Sequence, residues 1–141
     1  MRFIDSNVFL HALLIPRRKL TVEEQRVKDE SKGIVKRIEE GEKVAMTTAH
    51  LSEIVNIIET GPGLQKSLGF LIWVITRDNL LIYPTTIEDY ESAMTIAKEN
   101  NVSANDALAY LYMKKQGLTE IYSFDKHFNH LKDITKLQST Q

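Results

Sequence analysis

Four carboxylates stand where the chain changes from one kind of structure to another. Asp5 follows the apolar pair Phe3-Ile4 and precedes "VFLHALL"; Glu53 lies in the first turns of the segment after "KVAMT" (43–47). Asp106 opens "SANDALAYLYM", and Asp125 directly follows "EIYSF" (120–124). In parallel α/β sheets ligands gather beyond the carboxyl ends of the strands, which places Asp5, Glu53 and Asp125 at one edge. Asp106 joins them when its helix starts beside that edge. Two carboxylates about 4 Å apart repel by on the order of 4 kcal/mol at an effective dielectric near 20. A hard divalent cation relieves this repulsion, and an all-oxygen ligand set suits Mg²⁺ or Mn²⁺. Such ions clamp phosphate oxygens, activate a water and stabilise a leaving oxyanion, which is the chemistry of phosphodiester hydrolysis.

Each acid also has a structural reading. Asp5-Ser6-Asn7 and Asp125 are good helix caps, Ser103 and Asp106 have capping-box spacing, and Glu53 complements a helix dipole. Taken singly, capping stands at least level with chemistry. Helical phase tips two of them. Glu53 sits roughly 200° around the helix from Leu51, off the stripe Leu51, Ile54, Val55 and Ile58. Asp106 stands in the same relation to Ala104, on a helix whose expected inner face is Ala104, Ala107, Leu108 and Leu111. Both are therefore expected to point sideways from the core.

The elements that must position these acids follow from periodicity. Helix is expected from Val22 to Glu40, with Val27, Ile34, Val35 and Ile38 inward and Gly41 as a C-cap. "HLSEIVNIIE" is a second helix, broken by "GPG" (61–63), and "LQKSLGFLIWVI" is a third in which Trp73 belongs to the core. "LLIYP" (80–84) reads as a strand, and Thr85 or Thr86 caps a helix running to about Glu99. A further helix spans about 104–116 and ends at Gly117. "DKHFNHL" gives a last helical turn, and a fifth short strand is expected near Ile134-Thr135. Strands joined by helical crossovers require a mainly parallel sheet of four to five strands, covered on both faces. The expected architecture is α/β, a three-layer α/β/α sandwich formed by a single domain over residues 1–141.

Composition sets the outer bounds. The 141 residues are enough to bury roughly 70% of the unfolded surface without staples. No cysteine is present, which excludes disulfides, thiolate metal sites and a cysteine nucleophile. No run approaches the roughly 18 apolar residues of a membrane span, and no signal-peptide pattern opens the chain, so a cytoplasmic protein is expected. The net charge of −1 comes from 18 basic and 19 acidic residues. With four acids gathered in one pocket, 15 acidic residues face 18 basic ones elsewhere, an excess of +3.

Other signals are weaker. "GPGLQKSLG" lacks the glycine that a Walker loop places before its lysine, and a helix precedes it where a strand is required. Asp5-Ser6-Asn7 lacks the second acid that an aspartyl-phosphate enzyme needs. His127 and His130 share a spacing for one helix face, but two histidines without a third ligand read as exposed side chains rather than a zinc site. Arg17, Arg18 and Lys19, with Lys126 and Lys132, are candidates for RNA phosphate contacts, although a solvated charged face is the commoner explanation. "IVNII" and "LGFLIWVI" suit either core packing or a dimer surface.

The ordered set of motifs resembles the PIN-domain nucleases, and among them the VapC-like toxins of toxin–antitoxin pairs. It comprises an apolar strand ending Asp5-Ser6-Asn7, "LSEIV" with Glu53, "NDALAY" with Asp106, and "SFD" with Ser123 and Asp125. The fragments are short, but their order and spacing match over nearly the whole chain. The resemblance implies a Mg²⁺- or Mn²⁺-dependent endoribonuclease. Asp5, Glu53, Asp106 and Asp125 would then be the catalytic, metal-binding acids, with Asn7 and Ser123 as polar supports around them. It also implies a homodimer and a small antitoxin that blocks the acidic pocket. His127 departs from the pattern, because many relatives carry another acid there, so no additional ligand is expected at that position. The long 15–22 loop departs as well. A PIN-like binding module without catalysis, or a housekeeping RNA-processing nuclease, are the alternatives.

Overall fold

The computed structural model describes residues 1–138. Five strands alternate with six α-helices among these residues: β1 (Arg2–Ile4), α1 (Ser6–Leu13), α2 (Val22–Glu39), β2 (Val44–Thr47), α3 (Thr48–Thr60) and α4 (Leu64–Ile75) come first. β3 (Leu80–Tyr83), α5 (Ile87–Asn100), α6 (Ala104–Gln116), β4 (Glu120–Tyr122) and β5 (Thr135–Leu137) follow, with a 3-10 turn at Lys126–Asn129. The strand order is β3-β2-β1-β4-β5. All four neighbouring pairs are parallel.

This order makes β1 the hinge of the topology. The chain builds outward from β1 to β2 and β3, then returns to add β4 and β5 on its other side. Crossovers leave in opposite directions at such a point, so a crevice opens between the carboxyl ends of β1 and β4. The strands themselves are short and apolar, as burial on both faces requires. Phe3, Ile4, Val44, Ala45, Met46, Ile121 and Tyr122 are all fully buried. α1 packs on α2 and α3, α3 on α4, and α5 on α6, which gives the three-layer α/β/α sandwich.

Local signals set most of the boundaries. Thr21 with Glu24 and Thr86 with Asp89 form complete capping boxes at α2 and α5, so Thr86 rather than Thr85 starts the latter. α6 ends where Gly117 adopts the left-handed conformation, with φ of 68°. Trp73 is partly buried: it stacks on Phe70, meets Phe9 edge-on and carries Arg77 over its ring at 4.3 Å. α6 departs from the expected single stripe. Ala104 is exposed and Leu111 only partly buried, whereas Asp106, Ala107, Leu108, Ala109, Tyr112 and Met113 are buried. The helix lies between β2 and α5, so two of its sides face protein.

Asp89 ties that pair of helices together. It is buried, it closes the α5 capping box, and its carboxylate receives Lys115 Nζ at 2.6 Å and the Tyr112 hydroxyl. The Lys115 and Tyr112 hydrogen bonds hold its carboxyl well below the usual range. Asp89→Ala is expected to destabilise the fold by about 2 kcal/mol, measured by urea unfolding, from the lost cap and the lost buried partners.

Candidate metal centre

The four acids expected from the sequence meet in the crevice between β1 and β4, where side chains of intervening residues link them. Asp5 is buried at the end of β1, its amide paired to the Tyr122 carbonyl at 2.9 Å. It occupies the position before α1, yet its side chain makes no capping bond. Its carboxylate instead accepts from Ser123 Oγ at 2.7 Å and from Ser6 Oγ at 3.4 Å. Ser6 also donates to Glu53, which α3 brings in half-buried from the far side of the crevice. A single hydroxyl thus links the acids of β1 and α3.

Ser123 links the next pair. While donating to Asp5 it accepts from the amide of Asp125 at 2.9 Å, so the chain leaving β4 is bent toward β1. Asp125 does cap: its Oδ1 accepts from the His127 amide at 2.9 Å and starts the 3-10 turn. Its carboxyl group also meets that of Asp106. Asn7 acts on the backbone next to the acids. Its Oδ1 accepts from the Phe124 amide at 3.4 Å and pins α1 to the segment that carries Asp125.

Asp106 completes the cluster from α6. Ser103 caps that helix by accepting from the Asp106 amide at 3.0 Å, but the Asp106 side chain does not return the bond. It faces the carboxyl group of Asp125 and binds His127 Nδ1 at 2.7 Å. The carboxylate thus meets Asp125 and His127 rather than the apolar core, and it is only 5% exposed, a burial that helical phase did not indicate.

Burial raises the Asp5 carboxyl to about 7, against the stabilising Ser123 bond and with Asp106, Asp125 and Glu53 adding to the rise. Burial also raises Asp106, and its bond to His127 opposes the change. His127 is raised in turn, first by that bond and then by the charge of Asp125. Burial first and the neighbouring acids second set the direction at Asp5 and Asp106, and the carboxylates set it at His127.

Three residues not expected from the sequence join this site. Ser6 is a shared donor to two acids rather than a simple cap. His127 is drawn inward by the 3-10 turn, although the spacing to His130 suggested two exposed side chains. His130 itself is exposed. His50, buried in α3, accepts from Thr47 Oγ1 at Nδ1 (2.7 Å) and donates from Nε2 to the Asn105 carbonyl at 3.0 Å. That bond fixes the start of α6, and hence Asp106, against α3. No local pattern announces it, because its partner is 55 residues away.

The donors fit a divalent cation. One ligand atom each from Asp106, Asp125 and His127 lies within 4.8 Å of the others, while Asp5 and Glu53 stand outside that trio, Asp5 joined to the Asp125 segment through Ser123 and Glu53 joined to Asp5 through Ser6. The expected basic contacts are less direct. Arg18 makes a two-pronged ion pair with Glu24 at 2.8 and 2.5 Å, while Lys126 and Lys132 are exposed close to the site in sequence. An apolar groove of about 1240 Å³ runs alongside, lined by Leu10, Leu14, Val27, Phe70 and Trp73 and reaching the site at Phe124.

A parallel α/β/α sheet with carboxylates gathered at its switch point defines a class of acidic-site proteins suited to a divalent ion. The chain belongs to the PIN domain family, whose family model matches residues 2–134. No curated protein matches the sequence. Among solved structures the chain is similar in fold to VapC20 of Mycobacterium tuberculosis, a Sarcin-Ricin loop cleaving toxin. The TM-score is 0.71 at 17% identity, covering 95% of this chain and 97% of that one. VapBC2 from Rickettsia felis, bound to a DNA fragment from its promoter, matches with a TM-score of 0.65 at 11% identity, over 96% of each chain. A toxin–antitoxin complex from Klebsiella pneumoniae gives 0.65 at 13%, again over 96% of each.

Proposed function

We propose that this chain is a divalent-metal-dependent endoribonuclease and the toxin of a toxin–antitoxin pair, one domain through residues 1–138, the last three residues of the expected 1–141 span lying outside the described residues. The observation that carries the reading is the junction of four carboxylates from four segments, with Asp5 buried among them. Placing that many acids together is unfavourable for a merely structural cluster and useful for holding a cation. Asp5, Glu53, Asp106 and Asp125 are the residues that would hold Mg²⁺ or Mn²⁺. Such an ion supplies Lewis-acid stabilisation of a phosphodiester and lowers the pKa of water beside it. The chain's own part is orientation: Ser6 and Ser123 fix the carboxylates, Asn7 fixes the loop behind Asp125, and His50 fixes α6. Lys126, exposed beside Asp125, and Lys132 and Arg17 would draw RNA phosphates toward the crevice.

Membership in the PIN family supports the nuclease reading. VapC20's printed description as a Sarcin-Ricin loop cleaving toxin and the toxin–antitoxin complexes of similar fold support RNA as substrate and an antitoxin as partner. The antitoxin would lie in the apolar groove and reach the acids past Phe124 with a basic side chain. A homodimer would cover the outer face of α4, where Leu64, Leu68, Ile72 and Ile75 are exposed. No helix among the described residues is long and apolar enough to cross a membrane, and the proposed place of action is the cytoplasm.

Mg²⁺ or Mn²⁺ is expected to support cleavage of single-stranded or loop RNA by the purified chain, and EDTA to stop it. Cleavage that survives chelation overturns the metal-dependent reading. Expression of the chain alone is expected to arrest growth. Unrestrained growth with folded protein present would leave the housekeeping nuclease as the better reading, and metal binding without cleavage would leave the binding module.

A further inference from the structure

We infer that His127 is a nitrogen ligand of the ion held here, and that it turns the site toward Mn²⁺ and away from Mg²⁺. This rests on the proposed metal-dependent function and specifies the ligand set within it. The imidazole is not a loosely placed surface group. Its Nδ1 lies 2.7 Å from Asp106 Oδ2 and 3.3 Å from Asp125 Oδ1. Neighbouring donors around an octahedral ion with bonds of about 2.1 Å are roughly 3 Å apart, so one ion fits among the three groups with little movement of the ring. His130, three residues on, is exposed and joins neither carboxylate.

The backbone explains why the ring is held there. Ser123 Oγ accepts from the Asp125 amide, Asp125 Oδ1 accepts from the His127 amide, and the next residue, Phe128, is buried at 1% exposure. The turn is thereby anchored on both sides of His127. With 45% of its side chain exposed, the ring can still adjust by a fraction of an ångström. In the metal-free protein Nδ1–H donates to Asp106. An ion placed among the three groups takes the Nδ1 lone pair once that proton leaves to solvent, and Asp106 exchanges a hydrogen bond for a metal bond.

The consequence is selectivity. Carboxylate and water ligands alone serve Mg²⁺ well, whereas an imidazole adds a borderline donor that later first-row ions prefer. Mn²⁺ gains from the nitrogen while still accepting several carboxylates. Mg²⁺ gains little, because it exchanges a favoured oxygen for a nitrogen. A plain ion pair between His127 and the acids predicts the opposite. A cationic ring would compete with either ion, and its removal would strengthen the binding of both.

The test uses the purified full chain, with Mn²⁺ and Mg²⁺ as probes. Pulsed electron paramagnetic resonance of the Mn²⁺-loaded protein is expected to show ¹⁴N modulation from a coordinated imidazole, and His127→Ala to abolish it. Calorimetry is expected to show Mn²⁺ binding weakened at least about tenfold in His127→Ala, with Mg²⁺ binding changed far less. His127→Asp should bind Mg²⁺ at least as tightly as wild type does. Because His127 is half-exposed, melting of the variants in EDTA checks that they remain folded. Mn²⁺ binding without ¹⁴N modulation, modulation that persists in His127→Ala, or tighter binding of both ions in that variant overturns the ligand assignment alone. Failure of wild type to bind Mn²⁺, or binding indifferent to Asp106→Asn, overturns the metal reading together with it.

Discussion

Asp5→Asn is expected to melt roughly 5–15 °C higher than wild type in EDTA at pH 8, and to lose RNA cleavage by on the order of 10³-fold or more. The two effects share one cause. The Asp5 carboxyl rises from 3.8 to about 7 because it is buried and has three acids around it. Its folded-state value lies above the unfolded one, so the contribution to stability is fully present below about 3.8 and is lost as pH rises through about 7. Once ionised, the group forfeits on the order of 4 kcal/mol of folding free energy. Asparagine keeps an oxygen that accepts from Ser123 and brings an amide donor toward the remaining acids. Burial of that amide offsets part of the gain, which leaves about 2–4 kcal/mol. Metal affinity should fall, so the variant should gain less than wild type when Mn²⁺ is added. Asp106→Asn should gain less stability than Asp5→Asn, because Asp106 already has His127 as a partner. Thermal unfolding with and without Mn²⁺ measures both halves. A variant that melts lower in EDTA and cleaves normally would make Asp5 a structural residue.

The elements were readable because the apolar periodicities are strong and the breakers well placed. "LQKSLGFLIWVI" is a helix with the same bounds in the structure, and Gly63 and Gly117 punctuate the chain as local chemistry requires. The placement of Asp5, Glu53 and Asp125 at one edge followed from the sheet rule, since a strand's carboxyl end is visible in the order of residues. What stayed hidden depends on partners distant in sequence. Ser6 looks like any helix-start serine until α3 brings Glu53 to it. His127 looks exposed until a 3-10 turn, too short to leave a periodic pattern, swings it toward Asp106. The burial of Asp106 needs α5 and β2 on two sides of α6, which a single helical stripe cannot express.

His50 gives the second large effect, visible as a change in the shape of the pH–stability profile. Burial lowers its imidazole from 6.5 to about 4, although the bond to Asn105 and the charge of Glu53 both pull the other way. Here the folded value lies below the unfolded one. The neutral ring therefore contributes stability that is present above about 6.5 and is lost as pH falls through about 4, on the order of 3 kcal/mol in all. Asp5 acts oppositely over nearly the same window, with Asp106 in the same direction as Asp5. In metal-free wild type the acid-favoured contributions of Asp5, Asp106 and His127 oppose that of His50, and urea unfolding is expected to show no net loss of stability from pH 7 to 4. Asp5→Asn removes one acid-favoured contribution, so its advantage over wild type should shrink as pH falls from 7 to 4 and vanish near the acid end. His50→Gln removes the opposing one. That variant should start lower at pH 8, because it loses the fit between Thr47 and Asn105, and then gain stability as pH falls. The chain positions α6 with a buried imidazole that must stay neutral, beside carboxylates that are relieved by acid. A His50→Gln profile parallel to that of wild type would mean that His50 takes up its proton without penalty, and the Thr47 hydroxyl at Nδ1 would then not be what keeps the ring neutral.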